Sequence, residues 1–180
     1  LAATDGIEPI VATPHQLDGS PSLDGQAIRK AVSEFQKLLK QQRIPLQVLP
    51  GGELRVEPEL VARLQQGHLL SLADQGRHVL LELPSDVCLP LGRLLDHLGK
   101  LGKTSILAHP ERNQALLRQP HVLDAWVRAG CLVQVTAGSL LGTFGAHVQA
   151  YAEHLVQRQQ VHFVATDAHG PTRRRPLLRR

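Results

Sequence analysis

At 180 residues the chain can bury a sizeable core, and 42% apolar residues is the proportion of an ordinary folded domain. Five of its 20 basic residues (Arg173, Arg174, Arg175, Arg179 and Arg180) crowd the C-terminus; without them 15 basic side chains face 16 acidic ones, so the formal charge of +4 belongs to a tail and not to a nucleic-acid-binding face. With 3% aromatic residues, no apolar run near the ~20 residues of a membrane span, and no basic-then-apolar leader, neither stacking on single strands, membrane insertion nor secretion is expected. The chain begins at Leu1 and contains no Met, which reads as a piece of a longer protein.

In chain order, short apolar runs alternate with segments of helical period. Residues 9–12 form the first run. Asp24 then precedes a helical pattern with Ile28, Ala31, Val32, Phe35, Leu38 and Leu39 on one face, and Pro45 lies beyond its end. Residues 46–49 are the second run, and Pro58 opens the segment after it. Residues 78–81 are the third; Pro90 then opens a helix in which Leu91, Leu94, Leu95 and Leu98 recur until Gly99 and Gly102 stop it. Residues 104–108 are the fourth, followed by Pro120 and a helix carrying Val122, Leu123 and Trp126 before Gly130. Residues 131–135 are the fifth, then comes a helix with Val148, Ala152, Leu155 and Val156, and 161–165 is the sixth run. Each run is short and mostly β-branched or leucine, the pattern of a strand buried on both faces. Six β/α alternations predict a parallel sheet with helices outside it, either an open doubly wound sheet or a closed barrel.

The strand ends carry the chemistry. The first run is followed by Thr13-Pro14-His15, the second by Pro50-Gly51-Gly52-Glu53, the third by Glu82, and the fourth by His109-Pro110-Glu111-Arg112. The fifth is followed by Thr136-Ala137-Gly138-Ser139 and the sixth by Thr166-Asp167-Ala168-His169. In a β/α barrel the C-terminal strand ends converge on one mouth, whereas an open sheet does not gather them, so a barrel is expected. One strand-end His or Glu is ordinarily a cap or a surface group. Three His (His15, His109, His169) and three carboxylates (Glu53, Glu82, Asp167) at one mouth instead suit Mn²⁺, Fe²⁺, Zn²⁺ or Mg²⁺. Six ligands exceed what one catalytic metal takes from protein, so two or more metals are expected. His68, His78, His97, His121, His147, His154 and His162 fall on helices, loops or strand starts and read as ordinary polar residues.

Cys88 and Cys131 form no CxxC pair and read as two free thiols. A cysteine phosphatase needs five residues between its thiolate and a phosphate-binding Arg. Cys88 has Arg93 after only four, and Cys131 has Ala137 at the required place, so neither fits.

VATPH (11–15), LPGGELR (49–55), LLELP (80–84), ILAHPERN (106–113), QVTAGSLLGTFG (134–145) and ATDAH…RRRP (165–176) resemble, in order, the PHP (polymerase and histidinol phosphatase) superfamily. More narrowly, they resemble the CpsB-like bacterial protein-tyrosine phosphatases encoded with capsular and exopolysaccharide genes. The resemblance spans 1–180 as a single, incomplete domain. It implies a distorted TIM-like (β/α)7 barrel of the PHP type, with its first strand missing from this chain, and two or three metals, usually manganese. It implies metal ligands at His15, Glu53, Glu82, His109, Asp167 and His169, with Glu82 bridging, and phosphate contacts from Arg112 and Arg174. It also implies a cytoplasmic enzyme that dephosphorylates a tyrosine autokinase of polysaccharide export, and it is compatible with a homo-oligomer.

Two close metals would acidify a bridging water and clamp phosphate oxygens, while an Arg fork adds bidentate contacts. The chain departs from the family in several places. It starts inside the helix that follows the family's leading His-x-His strand and Asp-Gly turn, so the ligands these supply are absent, Thr136 and Gly170 stand where the family has Asn, and the C-terminal helical end is missing. The chain as given is therefore expected to hold fewer metals and to be weakly active or inactive. A small-molecule phosphoesterase of the histidinol-phosphatase kind and a non-catalytic regulatory module on the same barrel are the alternatives.

Overall fold

All six apolar runs become strands, and every strand pair among the described residues is parallel. The computed structural model describes residues 1–16 and 23–178, so Arg179 and Arg180 of the basic tail lie outside the described residues. The strands are β1 (Pro9–Ala12), β2 (His15–Gln16), β3 (Gln47–Pro50), β4 (Glu53–Arg55), β5 (His78–Glu82), β6 (Thr104–Ala108), β7 (Leu132–Thr136) and β8 (Phe163–Ala165). The helices are α1 (Gly25–Gln41), α2 (Leu60–Gln65), α3 (Gly92–Lys100), α4 (Gln114–Arg118), α5 (Pro120–Arg128), α6 (Ala137–Leu140) and α7 (Ala146–Gln157).

β1 pairs with β3, and a six-stranded parallel sheet follows in the order β2-β4-β5-β6-β7-β8. β2 and β4 are continuations of β1 and β3 past two breaks. Pro14 supplies no N–H at the first. Gly51 and Gly52 form the second, where the neighbouring strand comes too close for a side chain: a Cβ on Gly52 would lie 2.1 Å from Gln16 Oε1. The register then places His15 opposite Glu53, and Arg55 opposite Glu82.

The sheet is strongly curled. Flat, its outermost strands would stand about 24 Å apart at the usual strand spacing, yet the His15 ring beside β2 and the His169 ring just beyond β8 have centroids 6.3 Å apart. Alternate residues fill the two faces. Leu81, Leu107, Val133 and Val135 pack against the helices with Leu98, Leu123 and Leu155, while Leu80, Ile106 and Ala108 form a smaller cluster on the opposite face.

Among the described residues no ladder joins β8 to β1 or β2, and the strands form a curled parallel α/β sheet. Two sequence-based expectations are corrected. The first and last runs are not buried on both faces: β1 is at best half-buried, and Phe163 and Val164 are 43% and 46% exposed, because β8 is an edge strand. In α1, capped by Asp24 through the Gln26 N–H at 2.8 Å, Phe35 and Leu38 face outward. The inner stripe runs through Ile28, Val32, Gln36 and Leu39. Gln36 belongs there because it accepts from the Val48 N–H (2.8 Å) and donates to the Leu46 carbonyl (3.0 Å), tying the helix to the β3 backbone.

Candidate metal centre

The strand ends deliver their side chains to one mouth. His15 stands on β2, Glu53 opens β4, and Glu82 ends β5, so the parallel register brings three donors together on adjacent strands. One ligand atom from each of His15, Glu53 and Glu82 lies within 4.8 Å of the others. His15 Nδ1 is 3.1 Å from Glu82 Oε2 and 3.5 Å from Glu53 Oε2. His109, the residue after β6, adjoins them with Nε2 2.9 Å from Glu53 Oε1 and 3.9 Å from Glu82 Oε1.

The buried Glu53 carboxylate and the half-buried Glu82 carboxylate repel at this spacing unless positive charge stands between them. His109 shows the balance. Burial opposes its charged form, but the hydrogen bond to Glu53 and the negative charges of Glu53 and Asp167 outweigh burial and the opposing charge of Arg112, so its pKa rises above the ordinary value. An imidazole with two carboxylates, a second imidazole beside them, is a donor set that hard and borderline divalent metals accept.

A second group sits beyond β8. Asp167 Oδ2 accepts from Arg112 Nη1 at 2.5 Å and also from Arg174 Nη2. The His169 ring stands near both: Nδ1 is 3.0 Å from the Asp167 carbonyl oxygen, and Nε2 is 3.3 Å from Arg174 Nη1. All eight residues expected from the sequence are therefore drawn to one end of the sheet, in two subgroups. Arg174 is no solvated tail residue, since it is half-buried against Asp167 and the Phe144 ring.

The local backbone is bent to reach this arrangement. His109, Asp167 and Arg174 have φ of 34°, 48° and 47°, left-handed values that cost of order 1 kcal/mol or more for a side-chain-bearing residue. Such bends at the ends of β6 and β8 turn His109 and Asp167 from the strand direction toward the mouth.

The model of the family described as capsular polysaccharide synthesis, CpsB/CapC, matches residues 1–180. The chain belongs to that family. Among CpsB/CapC relatives, the tyrosine-protein phosphatase YwqE of Bacillus subtilis is 39% identical over 170 residues, which are 94% of this chain and 66% of that protein. The tyrosine-protein phosphatase CpsB of Streptococcus agalactiae is 26% identical over 179 residues, 96% of this chain and 73% of that protein. The chain thus spans about two thirds to three quarters of the length of these CpsB/CapC proteins. A solved structure from work on YwqE of Bacillus subtilis and CpsB of Streptococcus pneumoniae, described as metal-dependent tyrosine phosphatases, superposes with a TM-score of 0.91. It is 38% identical, and the match covers 97% of this chain and 70% of that one.

Within this CpsB/CapC chain, sequence reasoning missed three residues of the site. Arg55 places Nη2 3.4 Å from Glu82 Oε2; it follows Glu53 by two positions on one strand, so period-two alternation could have found it. Phe144 lies under both guanidiniums, 4.7 Å from Arg112 and 5.7 Å from Arg174. Glu111 is fully buried, and its Oε1 accepts from the Thr136 N–H (3.0 Å) and the Ser139 hydroxyl (2.7 Å). Nothing in the local sequence marks Phe144 or Glu111, because both act across the fold.

Both cysteines are free thiols, as their spacing implied. Burial pushes the Cys131 thiol up to about 12, and burial raises Cys88 as well, the opposite of what a nucleophilic thiolate needs.

Proposed function

We propose that residues 1–180 form a single domain, part of a distorted TIM-like (β/α) barrel of the PHP type, in a protein that hydrolyses phosphotyrosine on proteins with bound divalent metal. The observation that carries this reading is the gathering of six His, Glu and Asp side chains with two arginines at one mouth of the sheet. The names of the relatives, tyrosine-protein phosphatases of capsule-synthesis type, support the substrate class. A tyrosine autokinase of polysaccharide export is the substrate we assign, with the reaction taking place in the cytoplasm.

His15, Glu53, Glu82 and His109 are the ligands of the inner group, and Asp167 and His169 extend it toward Arg112 and Arg174. These residues would hold two or three divalent metals, manganese first among them, which when bound would supply an acidified water and charge for the phosphate oxygens. Arg112 and Arg174 bind the remaining phosphate oxygens. Both guanidiniums already converge on one carboxylate oxygen of Asp167, and a phosphate offers them the same charge with more acceptor atoms. His109 Nε2 and Glu53 Oε1 already stand 2.9 Å apart, side by side as two ligands of one metal would be, and Arg55 steadies Glu82.

The test is turnover of a phosphotyrosine peptide, with histidinol phosphate as the competing substrate, alongside metal content. His109→Ala and Asp167→Asn are each expected to abolish turnover and lower bound metal while unfolding stays cooperative. Unchanged turnover and metal content in both variants would overturn the assignment. Faster turnover of histidinol phosphate would move the substrate to small molecules.

A further inference from the structure

Phe144 has no place in the chemistry above, yet it is built into the phosphate side of the site. Its half-buried ring lies 4.7 Å from the Arg112 guanidinium and 5.7 Å from that of Arg174. Both cations converge on one Asp167 oxygen, so two like charges are held side by side. One carboxylate fixes where they meet. It does not fix the orientation of two planar forks on flexible stems.

The ring is itself anchored. Glu111 lies on the turn that carries Arg112, and its Oε1 accepts from the Thr136 N–H and the Ser139 hydroxyl at the end of β7 and in α6. The Thr143 N–H returns to the Gly138 carbonyl at 2.9 Å, closing the loop that presents Phe144. The ring packs on the Gly138 backbone so closely that a Cβ there would lie 3.3 Å from Phe144 Cε2. The segment bearing the ring is thus tied to the segment bearing Arg112.

We infer that Phe144 is a positioning residue for the phosphate-binding pair, its ring holding Arg112 and Arg174 in one orientation at the mouth. The inference rests on the phosphatase reading above. A cation over an aromatic face is attracted by the ring's negative quadrupole, and leucine of similar bulk offers no such face.

The experiment is calorimetric titration of inorganic phosphate into the manganese-loaded protein, with KM and kcat for para-nitrophenyl phosphate measured beside it. Phe144→Leu is expected to weaken phosphate binding roughly 5- to 30-fold, with KM rising in parallel and kcat falling less. Metal content is expected to stay unchanged, and Phe144→Tyr to stay within about twofold of the parent because the ring is kept. Phe144→Met, which keeps an apolar side chain and removes the aromatic face, is expected to give a similar loss and serves if Phe144→Leu does not fold. Phosphate affinity within twofold of the parent in Phe144→Leu, or in Phe144→Met where that variant stands in, overturns the inference while leaving the phosphatase reading intact. Failure of the parent protein both to bind phosphate and to turn over any monoester overturns both.

Discussion

Replacing Glu111 with alanine is expected to destabilise the chain by about 2–6 kcal/mol, because two buried donors, each costing ~1–3 kcal/mol when left unmet, lose their acceptor. Those donors are the Thr136 N–H at 3.0 Å and the Ser139 hydroxyl at 2.7 Å, and the carboxyl that receives them is fully buried. In a chain of this size the loss corresponds to a fall of about 4–24 °C in Tm. Glu111→Gln keeps an acceptor in place and removes the charge, so it is expected to stay within ~1 kcal/mol of the parent.

The pH dependence separates the two contributions. Burial pushes the Glu111 pKa up, only partly countered by the hydrogen bonds from Ser139 and Thr136 and by the nearby charge of His109. The folded chain therefore holds this proton more tightly than the unfolded chain. Its contribution to stability is complete below the ordinary glutamate value and is lost as pH rises through the higher folded value. Urea unfolding followed by circular dichroism at pH 5 and 7.5 measures this, and the decline contributed by this group is expected to vanish in Glu111→Gln. A cost below about 1 kcal/mol for Glu111→Ala, or a glutamine variant as damaged as the alanine one, would refute the reasoning.

Cys88→Ser and Cys131→Ser are expected to leave phosphotyrosine turnover intact, with the serine at buried position 131 costing about 1–3 kcal/mol in urea unfolding. Loss of turnover in either folded variant would revive a thiolate nucleophile. Gly52→Ala drives a methyl group to within 2.1 Å of Gln16 Oε1, which accepts from the Leu70 N–H at 2.9 Å. A loss of about 2–4 kcal/mol in thermal or urea unfolding is expected, from overpacking plus a displaced buried hydrogen bond.

Much of the fold was legible in the sequence because its signals are local. Short Val-, Ile- and Leu-rich runs bounded by Pro and Gly marked the strands, and the candidate ligands were legible because each of those side chains stands at or just after the end of such a run. Where a local signal had to be read against a partner, it failed. Phe35 and Leu38 were placed inward on α1 by apolarity alone, yet Gln36 holds the inner face through the backbone of β3. The run at Phe163–Ala165 resembles a buried strand in composition, and only the sheet order shows it to be an edge.

The sequence by itself determined the number and order of the strand-helix units, the residue types at each strand end, and the absence of a cysteine phosphatase loop. All of these follow from chemistry within a few neighbouring residues. The tertiary structure alone decided that His15 and His169, 154 positions apart, come within 6.3 Å, and that Arg112 and Arg174 share one oxygen of Asp167. It also decided that Phe144 lies beneath both arginines and that Glu111 ties the turn carrying Arg112 to the end of β7 and to α6. The physical reason is sheet curvature: it is set by packing across many strands, and it closes distances that no stretch of sequence encodes.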